Sequence, residues 1–251
     1  MEQDTSSTSD VLQTLHAGSG YRFSAMKITA LGATEYTLAT IVMDASGSVE
    51  PFKDQLEMAL KTIFKACDKS PRRDNLMLRV TEFSHALREI HGFKLLGNIQ
   101  ESDYANVMQL GGQTALFDAA EEAVLATNTY GKSLTAQDFL VNAIIVVVTD
   151  GEDNASHTAI SAIKSAIQAA RKTESLESIT CILVGVTQDN VALGHYLQTF
   201  KDDAGMDQYV SIGTATPGKI AKLAAFVSQS ISSTSSALGT GASSQPLTPK
   251  F

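Results

Sequence analysis

Short apolar runs rich in β-branched residues alternate with segments of helical pattern along most of this chain, and this alternation restricts the folds open to it. The most apolar run, residues 143–148, is followed at once by Thr149 and Asp150. Continuous apolar runs of this length predict strands that are buried on both faces of a sheet. The predicted strands are residues 37–43, 76–83, 87–93, 142–149, 179–186 and 208–212.

Helical spacing of apolar residues marks the segments between these strands. The predicted helices are residues 49–67, 115–126, 158–171, 190–200 and 217–231. Strands separated by such helices predict βαβ units and a parallel sheet. Residues 87–93 follow the preceding strand too closely for a crossover, so they must pair with it antiparallel. We therefore predict a doubly wound, Rossmann-like α/β fold, with a mostly parallel six-stranded sheet, one antiparallel edge strand and helices on both faces.

The two ends of the chain differ in composition from its middle. Residues 1–20 are rich in Ser, Thr, Gly and acidic residues and predict a flexible arm with a short helical patch at 11–15. Residues 233–251 are rich in Ser, Gly and Pro and predict a flexible tail. Residues 21–232 then form a single domain.

Charge and hydropathy exclude several classes of partner. The formal net charge of −8 argues against a nucleic-acid-binding surface, which needs a basic stripe. No apolar run approaches the roughly 20 residues that cross a bilayer, and the first residues lack the features of a signal peptide. The two cysteines, Cys67 and Cys181, have apolar neighbours and read as buried reduced thiols. These features predict a cytoplasmic protein, or a virion component if the chain is encoded by a phage.

Small polar residues stand where three of the predicted elements begin or end. The first strand runs into Asp44-Ala45-Ser46-Gly47-Ser48, Thr114 precedes a helix, and the most apolar strand ends at Thr149-Asp150-Gly151. Ligands of doubly wound folds bind outside the carboxyl ends of the strands. The candidate ligands are all oxygens, which favours a hard cation, Mg²⁺ or Mn²⁺. Taken alone, Asp44 and Asp150 could instead cap the helices that follow them, and for Ser48 and Thr114 capping is the better single interpretation.

The set of motifs resembles the metal-ion-dependent adhesion site of von Willebrand factor A domains, and the likeness extends over about 200 residues. Asp44-x-Ser46-x-Ser48, Gly112-x-Thr114 and Thr149-Asp150-Gly151 occur in the order of that family. The resemblance implies a metal held by hydroxyls and carboxylates. Its expected ligands are Asp44, Ser46, Ser48, Thr114 and Asp150.

Four further residues are expected around this site without binding the metal directly. Gly112 and Gly151 belong to the matching motifs, and Asp118 is one helical turn beyond Thr114, where it would support the site or cap a helix. Glu152 follows Gly151 and would either shape the partner surface or belong to a solvated loop that caps the next helix.

The resemblance implies a non-enzymatic binding module. A metal held this way accepts a Glu or Asp side chain from a partner protein. Neither a nucleic acid nor a membrane is expected as a partner. One alternative is a structural or assembly subunit of a larger complex, either an ATPase or chaperone machine or a phage particle. A second alternative is a Mg²⁺-dependent phosphatase with Asp44 as nucleophile. Dehalogenase-type phosphatases carry Asp two residues later, where this chain has Ser46.

Overall fold

The computed structural model describes residues 11–18, 20–173, 175–240 and 246–249. These residues contain eight strands and five α-helices. The strands are β1 (Leu12–Ala17), β2 (Tyr21–Met26), β3 (Glu35–Asp44), β4 (Leu76–Phe83), β5 (Leu87–Leu95), β6 (Leu140–Thr149), β7 (Ser178–Gly185) and β8 (Gln208–Ser211). The helices are α1 (Lys53–Asp68), α2 (Leu116–Thr135), α3 (Ile160–Lys172), α4 (Val191–Ala204) and α5 (Pro217–Thr240).

The strands form one mostly parallel sheet in the order β1-β2-β5-β4-β3-β6-β7-β8. β3, β4, β6, β7 and β8 run parallel, and β5 pairs antiparallel with β4. The predicted α/β fold is confirmed, but the sheet has eight strands rather than six. The antiparallel strand β5 is also not an edge, because β2 covers its outer side.

The two additional strands form an antiparallel hairpin, β1 with β2. The prediction of a flexible arm with a helical patch is therefore wrong from residue 11 onwards, because residues 12–17 form a strand. Residues 1–10 lie outside the described residues. Only one face of β2 is fully covered: Phe23 and Ala25 are buried, whereas Arg22 is exposed and Ser24 is partly exposed. A strand buried on one face lacks the continuous apolar run of a central strand, which explains why the sequence pattern missed it.

Two hydrophobic cores lie on opposite faces of the sheet. Helices α1 and α5 cover one face, while α2, α3 and α4 cover the other. Helices on both faces were predicted. Cys67 and Cys181 are both free and buried within these cores, and burial raises the pKa of each thiol to about 12. No helix among the described residues is long and apolar enough to cross a membrane.

The last helix is longer than its sequence suggested. α5 continues to Thr240. Residues 233–240 therefore belong to this helix and not to a flexible tail, and the predicted domain boundary at residue 232 is wrong. Polar tertiary contacts hold this Ser-rich half of the helix. Asn142 Nδ2 donates to the Thr234 carbonyl (2.6 Å), and Arg72 Nε donates to Ser235 Oγ (3.1 Å). Such contacts outweigh the low helix propensity of serine and threonine.

The order of the strands indicates where on the sheet a ligand is expected to bind. From β3 the chain moves to β4 on one side and later returns to β6 on the other, so order reverses between β3 and β6. Asp44 ends β3 and Thr149 ends β6. Polar residues predicted at strand ends are therefore gathered at the switch point of the sheet, where doubly wound folds bind ligands.

A buried histidine on β5 gives the fold a pH-dependent stability. His91 Nδ1 donates to the Gly92 carbonyl (2.9 Å), and Nε2 accepts from the Tyr104 hydroxyl (2.7 Å). Burial lowers the pKa of His91 to about 4; Lys94 and Arg79 add to this effect, while the Gly92 carbonyl and Asp103 oppose it. The imidazole is thus neutral in the folded protein at pH 5, where an unfolded chain with a pKa of about 6.5 is protonated.

We expect the domain to lose stability as the pH falls from about 6.5 towards 4. In this window the unfolded chain binds a proton that the folded chain does not, so acid favours unfolding. The expected loss from this group is on the order of 3 kcal/mol. Urea unfolding at pH 7 and pH 4.5 measures it by comparing the wild type with His91→Gln, and exposed His195→Gln is the control. Equal pH dependence in the wild type and His91→Gln would contradict this assignment.

Candidate metal centre

Asp44 is fixed by hydrogen bonds at the end of β3. Its side chain is buried, with the residue 1% exposed. Oδ1 accepts from the Ser46 backbone N–H (2.8 Å), and Oδ2 accepts from the Thr149 hydroxyl (2.6 Å). The parallel pairing of β3 with β6 brings Thr149 to this position. The carboxylate is therefore oriented by a loop amide and by the neighbouring strand.

A short chain of hydroxyls links Asp44 to Asp150. Ser46 Oγ lies 3.1 Å from Ser48 Oγ, and the Ser48 hydroxyl donates to Asp150 Oδ1 (2.8 Å). Residues 102 positions apart in sequence are thus in direct contact. A Cβ at Gly47 would meet nothing within 4 Å, so the space in this loop does not require a glycine there.

Thr114 reaches the same place from a third loop. A Cβ at Gly151 would lie 3.4 Å from Thr114 Oγ1, so the threonine hydroxyl sits against the residue that follows Asp150. Asn154 holds the loop reciprocally: its Oδ1 accepts from Thr114 N–H (2.8 Å) and its own N–H donates to the Thr114 carbonyl (3.0 Å). The structure therefore gathers all five predicted ligand residues at one end of the sheet.

The charges of this cluster suit a divalent cation. Burial raises the pKa of Asp44, and hydrogen bonds from Ser46 and Thr149 oppose that rise. Burial and then the negative charge of Asp44 raise the pKa of Asp150 to about 6. A cation shared by the two carboxylates would remove this mutual repulsion.

The donor set consists of two carboxylates and three hydroxyls. Within the described part of the chain, no three His, Cys, Asp or Glu side chains gather into a metal-binding group. Hydroxyl and carboxylate oxygens of this kind fit a hard cation, so the residues present are compatible with the expected Mg²⁺ or Mn²⁺.

Two buried glutamates anchor the loop that leads to Thr114. Glu57 on α1 accepts from the backbone N–H groups of Asn106 (2.9 Å) and Met108 (3.0 Å). Glu82 on β4 accepts from the Gln109 N–H with both oxygens (3.2 Å each). Sequence reasoning did not single out either glutamate, because one occupies a helix and the other a strand far from the motifs.

The loop after Asp150 and the start of α2 satisfy each other's hydrogen bonds. Asp153 Oδ1 accepts from Phe117 N–H (3.2 Å), and Ser156 Oγ accepts from the N–H groups of Phe117 and Asp118 (3.0 Å each). Asp118 accepts in return from the His157 N–H (3.1 Å to each oxygen) and the Thr158 N–H (2.8 Å). This exchange fixes the Thr114 segment relative to Asp150.

Asp118 therefore binds the loop before α3 and not a helix end: His157 and Thr158 precede Ala159, the N-cap of α3, which no side chain caps. Burial raises the pKa of Asp118, but the N–H donors of His157 and Thr158 outweigh that effect and lower it. Glu152 is exposed. The side chains of its neighbours Asp153 and Asn154 accept from Phe117 and Thr114, at the start of α2. They do not cap α3, so the prediction that this loop caps the next helix is wrong for these two residues.

We expect Gly112→Ala to distort the Thr114 loop. Gly112 has φ +75°, and a Cβ there would lie 2.2 Å from His85 Nδ1. Strain of this kind costs about 1–3 kcal/mol. Urea unfolding measures that loss of stability. Gly47→Ala is the matched control, because its Cβ would enter open space. Equal stability of the two variants would contradict the expected strain.

Comparison with known proteins identifies the fold. The family model of the von Willebrand factor type A domain matches residues 40–225. The D319A mutant of the PilB minor pilin from Streptococcus sanguinis aligns at 14% identity with a TM-score of 0.61, over 88% of this chain and 66% of that chain. No curated protein sequence matches the chain.

A second group of similar structures comes from the mussel byssus. Proximal thread matrix protein 1 aligns at 20% identity with a TM-score of 0.56, over 79% of this chain and 47% of that chain. Another structure of that protein, with a zinc-occupied MIDAS motif, has a TM-score of 0.51 at 20% identity, over 79% of this chain and 46% of that chain. The chain thus spans between about half and two thirds of these relatives, and identities this low establish a shared fold alone. Because the family model covers most of its length, the chain belongs to the von Willebrand factor type A domain family.

Proposed function

We propose that this protein is a non-enzymatic binding module that captures an acidic side chain of a partner protein through a divalent metal. Asp44, Ser46, Ser48, Thr114 and Asp150 would hold the metal, Mg²⁺ or Mn²⁺. The observation that carries the proposal is the contact between loops: Ser48 donates to Asp150 (2.8 Å) and lies 3.1 Å from Ser46. Three segments distant in sequence converge there with oxygen donors only.

The charge balance supports capture of an acid. Two carboxylates offset the two charges of a divalent cation, so the site with metal is close to neutral. When bound, the metal supplies a Lewis-acidic centre that attracts a further carboxylate. A protein with a similar fold, from the mussel byssus, has a zinc-occupied MIDAS motif, which supports a metal site in this fold. The hydroxyl-rich donor set of this chain favours the harder Mg²⁺ or Mn²⁺.

The burial of Asp44 argues against the phosphatase alternative. A nucleophilic carboxylate must reach a phosphorus atom, yet Asp44 is 1% exposed and both of its oxygens already accept hydrogen bonds. Ser46 stands where such enzymes need a second carboxylate, and its backbone N–H is one of the donors to Asp44. These features favour a binding role.

Membership of a larger assembly is the second candidate function. The structures similar to this chain include a minor pilin and a thread matrix protein, both named as parts of larger materials. Size-exclusion chromatography of native source extract would test it: elution at the mass of the free chain contradicts a stable assembly. The cytoplasmic setting inferred from the sequence stays a prediction, and fractionation of source cells measures it.

Metal binding is expected to raise the melting temperature. A ligand that binds only the folded state stabilises it by about 2.7 kcal/mol at 100 times its Kd. Thermal unfolding in Mg²⁺, in Mn²⁺ and in EDTA measures the effect. Asp150→Ala is expected to abolish the shift, because it removes one of two carboxylates. Ser165→Ala, a substitution of an exposed serine on α3, is the control. An unchanged melting temperature at millimolar metal would contradict the proposal.

A further inference from the structure

A groove adjoins the candidate metal centre on the side of β4 and β5. It lies between the β4–β5 turn and the loop before Thr114, and its volume is about 340 Å³. Ala45, which stands between Asp44 and Ser46, is one of its lining residues. A chain that places one side chain at the metal centre is therefore within reach of this groove with a neighbouring side chain.

Apolar surface exceeds polar surface in the lining of the groove, and Ser84, His85 and Gln109 add polar groups at its walls. Ala45 and Phe83 are buried, and Ala86, Leu87 and Leu110 are at least partly exposed. Hydrocarbon surface of this kind favours an aliphatic side chain, because burial removes apolar area from water.

The charged groups in the groove are already paired with each other. Arg88 Nε donates to Glu82 Oε1 (2.6 Å), and Arg88 Nη2 donates to the Val107 carbonyl (2.5 Å). Glu82 also accepts from Gln109 N–H. The charges of Arg88 and Glu82 thus offset each other, whereas exposed Glu50 and Glu152 near the site would repel an acidic neighbour.

The walls of the groove are held in place before any ligand binds. The Gly111 N–H donates to the Ala45 carbonyl (2.9 Å), and the Ala115 N–H donates to the Ser84 carbonyl (2.7 Å). These bonds tie one wall to the metal-site loop and the other to the start of α2. A preformed groove costs little ordering on binding, so its contacts contribute to affinity.

We propose that this groove binds an aliphatic side chain of the partner, close in sequence to the acidic residue that reaches the metal. The partner is then an extended segment with an acidic residue and a neighbouring Leu, Ile, Val or Met. This inference rests on the proposed function, because the metal defines where the acidic residue lies. The inference adds which type of side chain is expected next to the acidic residue of the partner, and the choice of partner depends on that side chain.

Arrayed synthetic peptides test the groove without a known partner. Each peptide carries a central Asp or Glu with randomised flanking residues, and the full chain is applied in Mg²⁺ and in EDTA. We expect the wild type to bind peptides with an aliphatic residue at one flanking position about tenfold or more above those with Ser or Lys there. Ala86→Trp, which fills the groove, is expected to remove this preference and keep Mg²⁺-dependent binding of acidic peptides.

Two further variants complete the design. Ala66→Trp, at an exposed position on α1, is the matched control and is expected to keep the preference. Leu110→Asn, which makes one wall polar, is expected to weaken it. A wild type without flanking preference, or an Ala86→Trp variant that retains it, would overturn the groove proposal alone. If no acidic peptide binds in Mg²⁺, or if binding survives EDTA, the proposed function fails and the groove proposal falls with it.

Discussion

Replacing Arg79 by alanine is expected to lower the free energy of unfolding by about 3–5 kcal/mol. Arg79 lies on β4 and is 1% exposed. Its guanidinium binds Glu122 of α2 through two N–H donors, Nη1 to Oε2 (3.0 Å) and Nη2 to Oε1 (2.6 Å), and Nε donates to Glu89 of β5 (3.0 Å). Removal of the guanidinium leaves the buried Glu122 carboxylate without its cation.

The arginine also joins the amino-terminal hairpin to the sheet. Glu89 accepts from the Ser24 N–H on β2 (3.0 Å), and the guanidinium lies 5.6 Å and 5.8 Å from the ring centroids of Phe23 and Phe93. Burial acts to lower the pKa of Arg79, but Glu122 and Glu89 outweigh that effect and raise it. The loss of stability is therefore expected to include weaker docking of the hairpin.

Urea unfolding of the full chain measures this effect. Arg171→Ala is the matched control: Arg171 pairs with Asp207 (2.8 Å), but its side chain is 39% exposed. An exposed ion pair contributes less than about 1 kcal/mol. We expect the Arg79→Ala and Glu122→Ala effects to be strongly non-additive, since each removes the partner of the other. Equal losses in the Arg79→Ala and Arg171→Ala variants would contradict the role assigned to Arg79.

At the proposed metal centre, Thr149→Val is expected to weaken Mg²⁺ binding by about 10–100-fold. Thr149 does not belong to the predicted ligand set, but its hydroxyl donates to Asp44 Oδ2 (2.6 Å). Valine keeps the shape of the side chain and removes the hydroxyl, which also accepts from the Gly151 N–H (3.2 Å). The carboxylate is then free to leave the orientation that faces Ser46 and Ser48.

A buried threonine elsewhere supplies the control for this substitution. Thr40 on β3 is as fully buried as Thr149, and its hydroxyl lies 3.0 Å from that of Thr127, away from the site. Each Val variant loses a buried side-chain hydrogen bond, at a cost of about 1 kcal/mol, and Thr149→Val also loses the contact with the Gly151 N–H. Isothermal titration with Mg²⁺ separates them, because only Thr149→Val is expected to lose affinity. Equal Mg²⁺ affinities would refute the positioning role of Thr149.

The central strands and most helices were predictable from local pattern. β6 was assigned from a continuous apolar run, and it is the strand that pairs with both β3 and β7. The hairpin β1–β2 was not predictable in this way. The hairpin lies against β5 at a close backbone contact: a Cβ at Gly92 of β5 would lie 1.8 Å from the carbonyl oxygen of Ser24 on β2. No periodicity in the hairpin's own sequence encodes such a contact.

The order of the βαβ units and the oxygen-bearing residues at the strand ends could both be predicted from the sequence alone. Both follow from local signals: buried parallel strands are apolar throughout, and their ends are marked by small polar residues. The contacts that hold those residues in place are visible only in the folded chain. Asn154 binds Thr114 across 40 positions, Glu57 binds Met108 across 51, and Ser48 binds Asp150 across 102. Hydrogen bonds between residues so far apart depend on how the whole chain packs, and no local pattern encodes them.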